Sequence, residues 1–536
     1  MIRDKRYLAV LLAVSAFIFF FRLGDMALTD PDETFYAETA REMLGEREWV
    51  TPLIFGEAQF EKPILFYWLV EASYGLFGVN EFAARLPSVL FGLAGVIGVY
   101  LLGRLLFSSL CGLLSGLVFA TCVQSVMLAR ACVTDMTLTV FILFCLLFFL
   151  EGWKGGRKAY YLLSSCMAAF AVLTKGPVGV FIPAVIVFLY LSVSRQWKVF
   201  FREVPLGQCA LIFFAVCLPW HIIVTRIHGA AFINEFLGFH NVMRFLEPEH
   251  SIGDSPFFYV PVVIGGFFPW TAFLPLGAWD LYKRGDERPP FKDHRAFVAI
   301  WFLAVFIFFT VSRTKLVTYI FPLYPVMALI TGRFWERYSL RAAQDKKVDR
   351  YMRASYSIYI FLAVAALVII YLVMSYRYVQ ALGGAAVVGA VFTAGSVVSL
   401  VAMLLKKRLA AFASIVITVV LMILPITEYV LPTIEEFETS KPVSFIVSEL
   451  AGRAGPIGGE ADQRRGIAFY TRRPDIADIQ HDDEFEDFIS RKEQVWCIIK
   501  RKHYERLKDD VRQSVSEPLF RAGKKVVVTN RVNRKQ

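Results

Sequence analysis

The chain has 536 residues, of which 57% are hydrophobic, and its formal net charge is +11. The mean hydropathy of +0.53 and the recurring long apolar runs exclude an ordinary soluble globular protein. The positive charge could indicate nucleic-acid binding, but the Lys and Arg residues cluster in short loops between apolar runs. This distribution favours a topological role for the charge and no nucleic-acid partner.

The apolar runs predict an α-helical polytopic membrane protein with about thirteen transmembrane helices. Their approximate limits are 7–21, 82–106, 110–129, 134–151, 159–174, 177–194, 204–224, 257–279, 295–311, 316–333, 354–374, 383–405 and 409–430. No small-x-small cleavage pattern follows the first run, so we expect a retained span there. The eight cysteines contain no CxxC motif and no metal-like spacing.

The strongly basic short loops all fall on one face of this predicted bundle, which the positive-inside rule makes cytoplasmic. The N-terminus is then cytoplasmic and the C-terminal region lies outside. If residues 63–78 crossed the membrane, the later basic loops would fall on the opposite face from the earlier ones. We therefore predict that this segment is a helix lying in the membrane interface. Residues 22–81 then form one outer loop, with a solvated juxtamembrane helix beginning near Asp32, and 225–256 form a second large outer loop.

The composition becomes polar from about residue 431. Short apolar runs at 466–470, 495–499 and 525–529 read as strands, and they alternate with helix-like stretches at 442–450, 482–490 and 504–511. We therefore predict a transmembrane domain over 1–430 and a small soluble α/β domain over 431–536 on the outer face.

Ionisable residues are almost absent from the predicted spans, where a charge at mid-bilayer costs about 2.5–3.5 kcal/mol on insertion scales. The exceptions lie at the outer ends of spans, and they could converge on one outer cavity with charged residues of the first loop. The candidates are Asp32, Glu33, Glu61, Lys62, Arg85, Asp135, Lys175, Arg313 and Lys315, with Arg244 and His240 in the second large loop.

Each candidate also has a simpler explanation. Asp32 and Glu33 follow a proline and suit a helix start, and Asp135 suits an N-cap. The basic residues could snorkel at the interface instead of binding a phosphate, although their position opposes the positive-inside trend. His240 could be a metal ligand or an ordinary polar contact. Aromatic packing at a proline kink would explain the tyrosines near Pro322.

Several stretches resemble the bacterial lipid A 4-amino-4-deoxy-L-arabinose transferases, members of the protein-O-mannosyltransferase-like membrane glycosyltransferases with the GT-C fold. The first outer loop resembles theirs over DPDETFYAETAREMLGEREWVTPLIFGEAQFEKPILFYW. The similarity continues, in order, through ARLPSVLFG, TKGPVG, LPWHIIV, FHNVMRF, SPFFYVPVVIGGFFPW and SRTKLVTYIFPLYP. The C-terminal domain resembles the family only around IAFYTRRP.

The resemblance implies an inverting transfer of a sugar from a polyprenyl (undecaprenyl) phosphate carrier to lipid A or another envelope acceptor. The reaction would take place at the periplasmic face of a bacterial inner membrane, without a nucleotide cofactor. The resemblance does not fix the oligomeric state, and a monomer is one possibility. Asp32, with Glu33 beside it, matches the catalytic aspartate, and Asp135 matches a second catalytic acid. A divalent metal such as zinc would be held by Glu61 and His240.

The donor phosphate would be bound by cations of the outer loops together with a late outer tyrosine. The residues assigned to it are Lys62, Arg85, Lys175, Arg244, Arg313, Lys315, Tyr319 and Tyr324. Such cations would stabilise the negative charge that grows on the leaving phosphate. Phe35 and Gln59 depart from the pattern of close family members, which carry arginine and often tyrosine there. Both positions concern donor handling, so they bear on which sugar is moved.

Other functions remain open at this point. A protein or glycan mannosyltransferase-like enzyme would use the same kind of carrier. A lipid transporter without chemistry is disfavoured, because transporters usually place ionisable groups near the midplane and often contain repeated discontinuous helices. A scaffolding protein, whose outer domain recruits a partner, is a further alternative.

Overall fold

The computed structural model describes residues 2–243, 255–284, 294–341, 346–452 and 455–531. Helices dominate the chain up to residue 451. In order they are α1 Ile2–Phe20, α2 Asp32–Glu46, α3 Leu65–Phe77, α4 Glu81–Leu106, α5 Ser109–Thr121, α6 Val123–Ala129, α7 Thr134–Gly155, α8 Lys158–Lys175, α9 Val178–Ser194, α10 Trp197–Glu203, α11 Leu206–His228, α12 Ala230–Phe232, α13 Tyr259–Gly266, α14 Leu274–Arg284, α15 His294–Val311, α16 Tyr324–Arg341, α17 Lys346–Arg377, α18 Leu382–Leu404, α19 Arg408–Pro425, α20 Leu431–Glu438 and α21 Lys441–Ala451.

Irregular helical turns join several of these elements. A π-helix over Ile233–Met243 continues α12, and a second over Ile426–Val430 links α19 to α20. Short 3-10 turns at Trp270–Phe273, Phe321–Leu323 and Val379–Ala381 precede α14, α16 and α18. The chain therefore continues in helical conformation through several of the breaks between spans.

Every predicted span contains a helix, but the lengths of these helices differ from the expectation. Among the described residues, seven helices are long and apolar enough to cross a membrane, and nine are if each of two bent pairs counts as one span. The pair α5 and α6 bends by 69°, and α13 bends by 106° against the segment Trp270–Lys283. The other four predicted spans, in α1, α8, α9 and α16, fall short of that length-and-hydropathy criterion.

Local sequence signals set several helix boundaries. Asn80 caps α4 by accepting a hydrogen bond from the Ala83 amide at 2.9 Å, and Ser108 caps α5 by accepting one from Cys111 at 3.1 Å. The segment 63–78 contains the 13-residue helix α3, which is too short to cross a bilayer. The prediction that this segment does not span is consistent with its length.

The helices α4 and α5 approach each other closely because both carry glycine at the contact. A Cβ atom added to Gly103 would lie 2.8 Å from the Cα atom of Gly112, and one added to Gly112 would lie 2.4 Å from the Tyr100 carbonyl oxygen. Small residues at a crossing let helix backbones approach in a membrane protein, where apolar burial alone drives little association.

The C-terminal region contains a five-stranded sheet of β3 Ile457–Glu460, β4 Ala477–Ile479, β5 Trp496–Lys500, β6 Phe520–Ala522 and β7 Lys525–Thr529. A separate hairpin, β1 Leu53–Ile54 and β2 Glu57–Ala58, lies in the first loop. The strand order is β4-β3-β5-β7-β6, with β3 parallel to β4 and β5, and β7 antiparallel to β5 and β6. The helices α22 Ala461–Thr471, α23 Asp482–Ile489, α24 Arg501–Arg506 and α25 Asp509–Ser514 accompany the sheet.

The predicted α/β class is confirmed, and one predicted strand is wrong. Residues 495–499 and 525–529 lie in or overlap β5 and β7, whereas 466–470 lie inside α22. A five-residue apolar run cannot distinguish a strand from the buried part of a helix. The helix is settled by tertiary packing, since Ile467 and Ala468 are buried in the core of the sheet domain.

We expect Glu71→Gln to raise the thermal stability, with a gain of a few degrees that grows as pH rises. Glu71 is buried, and neither carboxylate oxygen has a hydrogen-bond partner within the described residues. Burial, with a smaller effect of Glu48, raises its pKa from 4.5 to about 8. Folding therefore favours the protonated form, and stability falls as pH rises from 4.5 through about 8.

Thermal unfolding of the solubilised protein between about pH 5 and about pH 9 measures this effect. The exposed Glu46→Gln serves as the matched control and should show no such pH dependence. A gain for Glu71→Gln that is the same at every pH would contradict the expectation.

Candidate active site

The first loop builds the site from the start of α2. Asp32 and Glu33 occupy its first turn, where the helix dipole favours negative charge, as the helix-start explanation requires. Consecutive residues of a helix point about 100° apart, so the two carboxylates face different surroundings. The prediction of a solvated helix is wrong for much of α2. Glu42 is buried and accepts hydrogen bonds from the Phe55 and Gly56 amides of the β1–β2 hairpin.

Glu33 forms a buried ion pair with Arg85 of α4. Arg85 Nε and Nη2 each donate to a different oxygen of Glu33 at 2.8 Å, and both residues are 4% exposed. The Cys132 amide donates to Glu33 Oε1 at 2.8 Å, and the Thr29 amide and hydroxyl both donate to Oε2 at 3.0 Å. Burial raises the pKa of Glu33, but Arg85 and these hydrogen bonds outweigh it and hold the pKa below its usual value.

The remaining donors of Arg85 bind the chain just before α2. Its Nη1 donates to the Met26 and Leu23 carbonyl oxygens at 2.6 and 3.1 Å, and Nη2 donates to Ala27 at 2.8 Å. Glu33 and Arg85 thus join two helices and a turn, and neither lines the cavities described below. Their predicted roles in catalysis and phosphate binding do not fit these positions, and we assign both to the framework.

Asp32 faces a polar cavity, which we call the acidic cavity. Its lining combines three carboxylates and three cations with aromatic and aliphatic side chains from six regions of the chain. The lining residues are Asp32, Phe35, Tyr36, Glu61, Lys62, Val133, Asp135, Lys175, Leu316, Thr318, Tyr319 and Arg465. The tertiary structure therefore brings together Asp32, Glu61, Lys62, Asp135, Lys175 and Tyr319, as the sequence predicts.

A second, more apolar cavity shares a wall with the first, and we call it the apolar cavity. Its lining residues are Glu61, Lys62, Leu138, Lys175, Val178, His240, Phe308, Phe309, Ser312, Thr314 and Tyr319. Glu61, Lys62, Lys175 and Tyr319 belong to both linings. Two lysines therefore stand between a polar chamber that contains Asp32 and a chamber lined by α7, α9 and α15.

Carboxylates accompany both lysines of this shared wall. Lys175 Nζ lies 2.5 Å from Asp135 Oδ1 and 4.6 Å from the centre of the Tyr319 ring. Lys62 Nζ lies 3.0 Å from Glu61 Oε1. Asp135 belongs to the first turn of α7 but is not its N-cap, which is Val133. These pairs keep the cations in place at the wall.

Asp32 is accessible through the acidic cavity although protein surrounds it on several sides. Partial burial raises the pKa of its carboxyl group, and the negative charges of Asp135 and Glu61 add to this rise. Arg465 and Lys175 oppose it, but the net direction is upward. A carboxylate with a raised pKa is a stronger base than an ordinary aspartate, as general-base chemistry requires.

Other predicted site residues lie elsewhere. Tyr324 is fully buried and donates a hydrogen bond to Gln124, so Tyr319 is the tyrosine that lines the site. Lys315 is buried and Arg313 is exposed, and neither belongs to either lining. Arg244 lies outside the described residues. Gln59 is buried, where its side-chain amide donates to the Tyr67 hydroxyl at 2.8 Å.

The predicted metal ligands Glu61 and His240 are not part of a complete ligand set among the described residues. No group of three His, Cys, Asp or Glu side chains suited to a metal ion occurs among the described residues. Glu61 and His240 line the same cavity, but Glu61 pairs with Lys62 and His240 lies 3.8 Å from Glu235. We therefore derive no step through a metal.

Arg465 of α22 is the site residue that sequence reasoning missed. Its guanidinium carbon lies 4.6 Å from the centre of the Phe35 ring, at the edge of the acidic cavity. No local pattern distinguishes it from the neighbouring Arg464, because only the docking of the C-terminal region on the first loop brings it to Asp32.

Known proteins resemble this chain in sequence and in fold. A family model described as dolichyl-phosphate-mannose-protein mannosyltransferase matches residues 61–223. The undecaprenyl phosphate-alpha-4-amino-4-deoxy-L-arabinose arabinosyl transferase of Enterobacter sp. (strain 638) is 28% identical over 336 residues, which cover 62% of this chain and 60% of that protein. The crystal structure of ArnT from Cupriavidus metallidurans bound to undecaprenyl phosphate matches with a TM-score of 0.82 and 23% identity, over 99% of each chain.

The chain shares the membrane-protein fold of ArnT and is similar in sequence to the aminoarabinose transferases. The predicted resemblance and the multi-pass membrane fold are thereby confirmed. An uncharacterised protein of Aquifex aeolicus (strain VF5) is also similar, at 30% identity over 344 residues that cover 64% of this chain and 66% of that protein. The matched part thus spans 60% and 66% of the lengths of these two relatives.

We expect Arg85→Met to lower the free energy of unfolding by about 3–5 kcal/mol, because it leaves the buried Glu33 carboxylate without its partner. Chemical or thermal unfolding of the solubilised protein measures the change. Arg104→Met, at the exposed far end of the same helix, is the matched control. Equal losses for the two variants would contradict a special role for the buried pair.

Proposed function

We propose that the chain is a glycosyltransferase that moves a sugar from undecaprenyl phosphate to lipid A or another envelope acceptor. The observation that best supports this function is the wall of Lys62, Lys175 and Tyr319 between the apolar cavity and the acidic cavity, which contains Asp32. A lipid-linked sugar phosphate has three parts that suit this arrangement: an apolar chain, an anionic phosphate and a sugar.

The apolar cavity suits the carrier chain next to the phosphate, since Phe308, Phe309, Leu138 and Val178 line it. The two wall lysines can hold the phosphate as point charges. Their attraction for the phosphate grows as the bond to the sugar breaks, because negative charge accumulates on the leaving oxygen. This differential interaction is what accelerates the step.

The sugar would then project into the acidic cavity, where Asp32 lies. An acceptor oxygen attacks the anomeric carbon, the bond from that carbon to the phosphate oxygen breaks, and the electron pair stays on the carrier phosphate. The proton of a hydroxyl acceptor passes to Asp32. An acceptor that is itself a phosphate needs little deprotonation, and Asp32 would then orient it. One displacement inverts the configuration at the anomeric carbon.

The membrane side of the reaction is inferred from charge. The basic short loops support a cytoplasmic N-terminus, so the first loop and the sheet domain would face the periplasm of a bacterial inner membrane. A mannosyltransferase-like activity is a second candidate, and it is favoured by the description of the family model that matches 61–223. Mass spectrometry of lipid A and envelope glycans, from cells with and without this protein, decides between the acceptors and identifies the sugar.

We expect Asp32→Asn to reduce transfer at least about a hundredfold, the lower end of the contribution that general acid–base groups make. The measurement is transfer of radiolabelled sugar from its undecaprenyl phosphate carrier to the acceptor by purified protein. Glu46→Gln makes the same kind of change at the exposed end of α2 and should keep full activity. Full activity in a folded Asp32→Asn protein would remove Asp32 from the mechanism.

The pH dependence of transfer provides a separate expectation for a hydroxyl acceptor. Activity should fall as pH drops through the raised pKa of Asp32, because only the ionised carboxylate accepts a proton. Asp135→Asn removes a charge that raises this pKa, so the acidic limb of the profile should move to lower pH. The position of the limb is the readout, whatever the maximum rate. If the acidic limb of the Asp135→Asn profile stays in place or moves to higher pH, Asp32 is not the proton acceptor.

A further inference from the structure

The C-terminal region contributes a cation to the cavity that contains Asp32. Arg465 and Arg464 are neighbours on α22, but they serve different surroundings. Arg464 Nε donates to the Ile476 carbonyl oxygen at 2.7 Å, and its guanidinium carbon lies 3.7 Å from the centre of the Phe55 ring. Arg465 instead lines the acidic cavity above the Phe35 ring. Arg464 therefore fixes the domain, and Arg465 faces the site.

Among the residues that the structure describes, Arg465 forms no hydrogen bond or ion pair; its guanidinium group lies against the Phe35 ring, and its charge acts on Asp32 across the cavity. The wall lysines are different, because Lys175 pairs with Asp135 and Lys62 pairs with Glu61. A half-buried guanidinium group whose N–H groups are not hydrogen-bonded to protein has donors available for a ligand. Stacking on an aromatic ring orients the planar group and leaves its N–H edge to bind an anion.

Charge balance in the acidic cavity permits an anionic ligand beside this cation. The acidic cavity is lined by the carboxylates of Asp32, Glu61 and Asp135, and by the cations of Lys62, Lys175 and Arg465. Without Arg465 the carboxylates would outnumber the cations, and the cavity would repel an anion. With it the formal charges balance, and a guanidinium group suits the bidentate geometry of a phosphate.

We propose that Arg465 binds a phosphate group of one of the two lipid substrates, so that the C-terminal region completes the active site. This inference rests on the proposed function, which requires a carrier phosphate and allows a phosphorylated acceptor. Arg465 stands beside Asp32 and Phe35 and is not part of the apolar cavity. Among the two sources, the acceptor phosphate would enter on this side, whereas the carrier phosphate would reach it across the lysine wall.

Contacts around the first loop hold α22 in the required place. The Ser440 hydroxyl donates to Asp30 Oδ2 at 2.5 Å, and the Leu28 amide donates to the Tyr470 hydroxyl at 2.7 Å. A Cβ atom added to Gly466, the residue after Arg465, would lie 2.1 Å from Asp30 Oδ1. Glycine at this position leaves room for the Asp30 carboxylate against α22, and this close packing brings Arg465 to the cavity.

The test measures binding with the full-length protein in lipid nanodiscs. One arm titrates undecaprenyl phosphate, and the other titrates bisphosphorylated lipid A and its dephosphorylated form. We expect Arg465→Gln to weaken binding about tenfold or more in one arm, as loss of a charge-assisted contact does. Arg465→Lys should weaken the same arm by about threefold or more, because an ammonium group lacks the stacked planar fork. Arg472→Gln, exposed at the end of α22, should bind as the wild type does.

The outcomes separate this inference from the proposed function. Weaker binding of undecaprenyl phosphate alone assigns Arg465 to the carrier, and weaker binding of phosphorylated lipid A alone assigns it to the acceptor. Unchanged binding of both lipids by the Gln and Lys variants overturns the inference. If Arg465→Gln does not fold, the Lys variant decides by the same criterion. A wild-type protein that binds both lipids but transfers no sugar would refute the proposed reaction. The binding measurements on the Arg465 variants would still test the inference about Arg465.

Discussion

The buried ion pair between Glu33 and Arg85 is the constraint on which the site depends. It joins the start of α2 to α4 and uses its remaining donors on the carbonyl groups of the preceding turn. A charge pair with so little exposure is tolerated only when hydrogen bonds satisfy both partners, as they do here. Because Asp32 directly precedes Glu33 on the same helical turn, the buried ion pair also fixes the direction of the Asp32 side chain.

The site that results consists of a polar cavity and an apolar cavity, which a wall of few residues separates. Lys62 and Lys175 stand at that wall beside carboxylates, which keep the cations ordered near an apolar chamber. The same carboxylates raise the pKa of Asp32 through their charge. Asp135 and Glu61 therefore both hold the lysines in place and raise the pKa of Asp32, so a substitution of either carboxylate changes both properties.

The sheet domain is an integral part of this arrangement. Its helix α22 packs against α2, and Ser440, Tyr470 and Arg464 contact the first loop or its hairpin. Sequence similarity to the family is faint in this region and gives no indication that the domain reaches the site. Its contacts lie instead within two residues of Asp32, at Asp30, and its Arg465 reaches the acidic cavity.

The sequence by itself determined the membrane class, the positions of the helices and most of the charged residues that line the acidic cavity. Hydropathy depends on local composition, and the motif around Asp32, Glu61 and Lys62 is contiguous enough to be recognised. Tertiary structure alone decided that Glu33 and Arg85 form the framework, that Tyr319 and not Tyr324 lines the site, and that Arg465 joins it. Each of these depends on the direction of a side chain or on a contact between distant segments, and neither periodicity nor spacing along the chain specifies them.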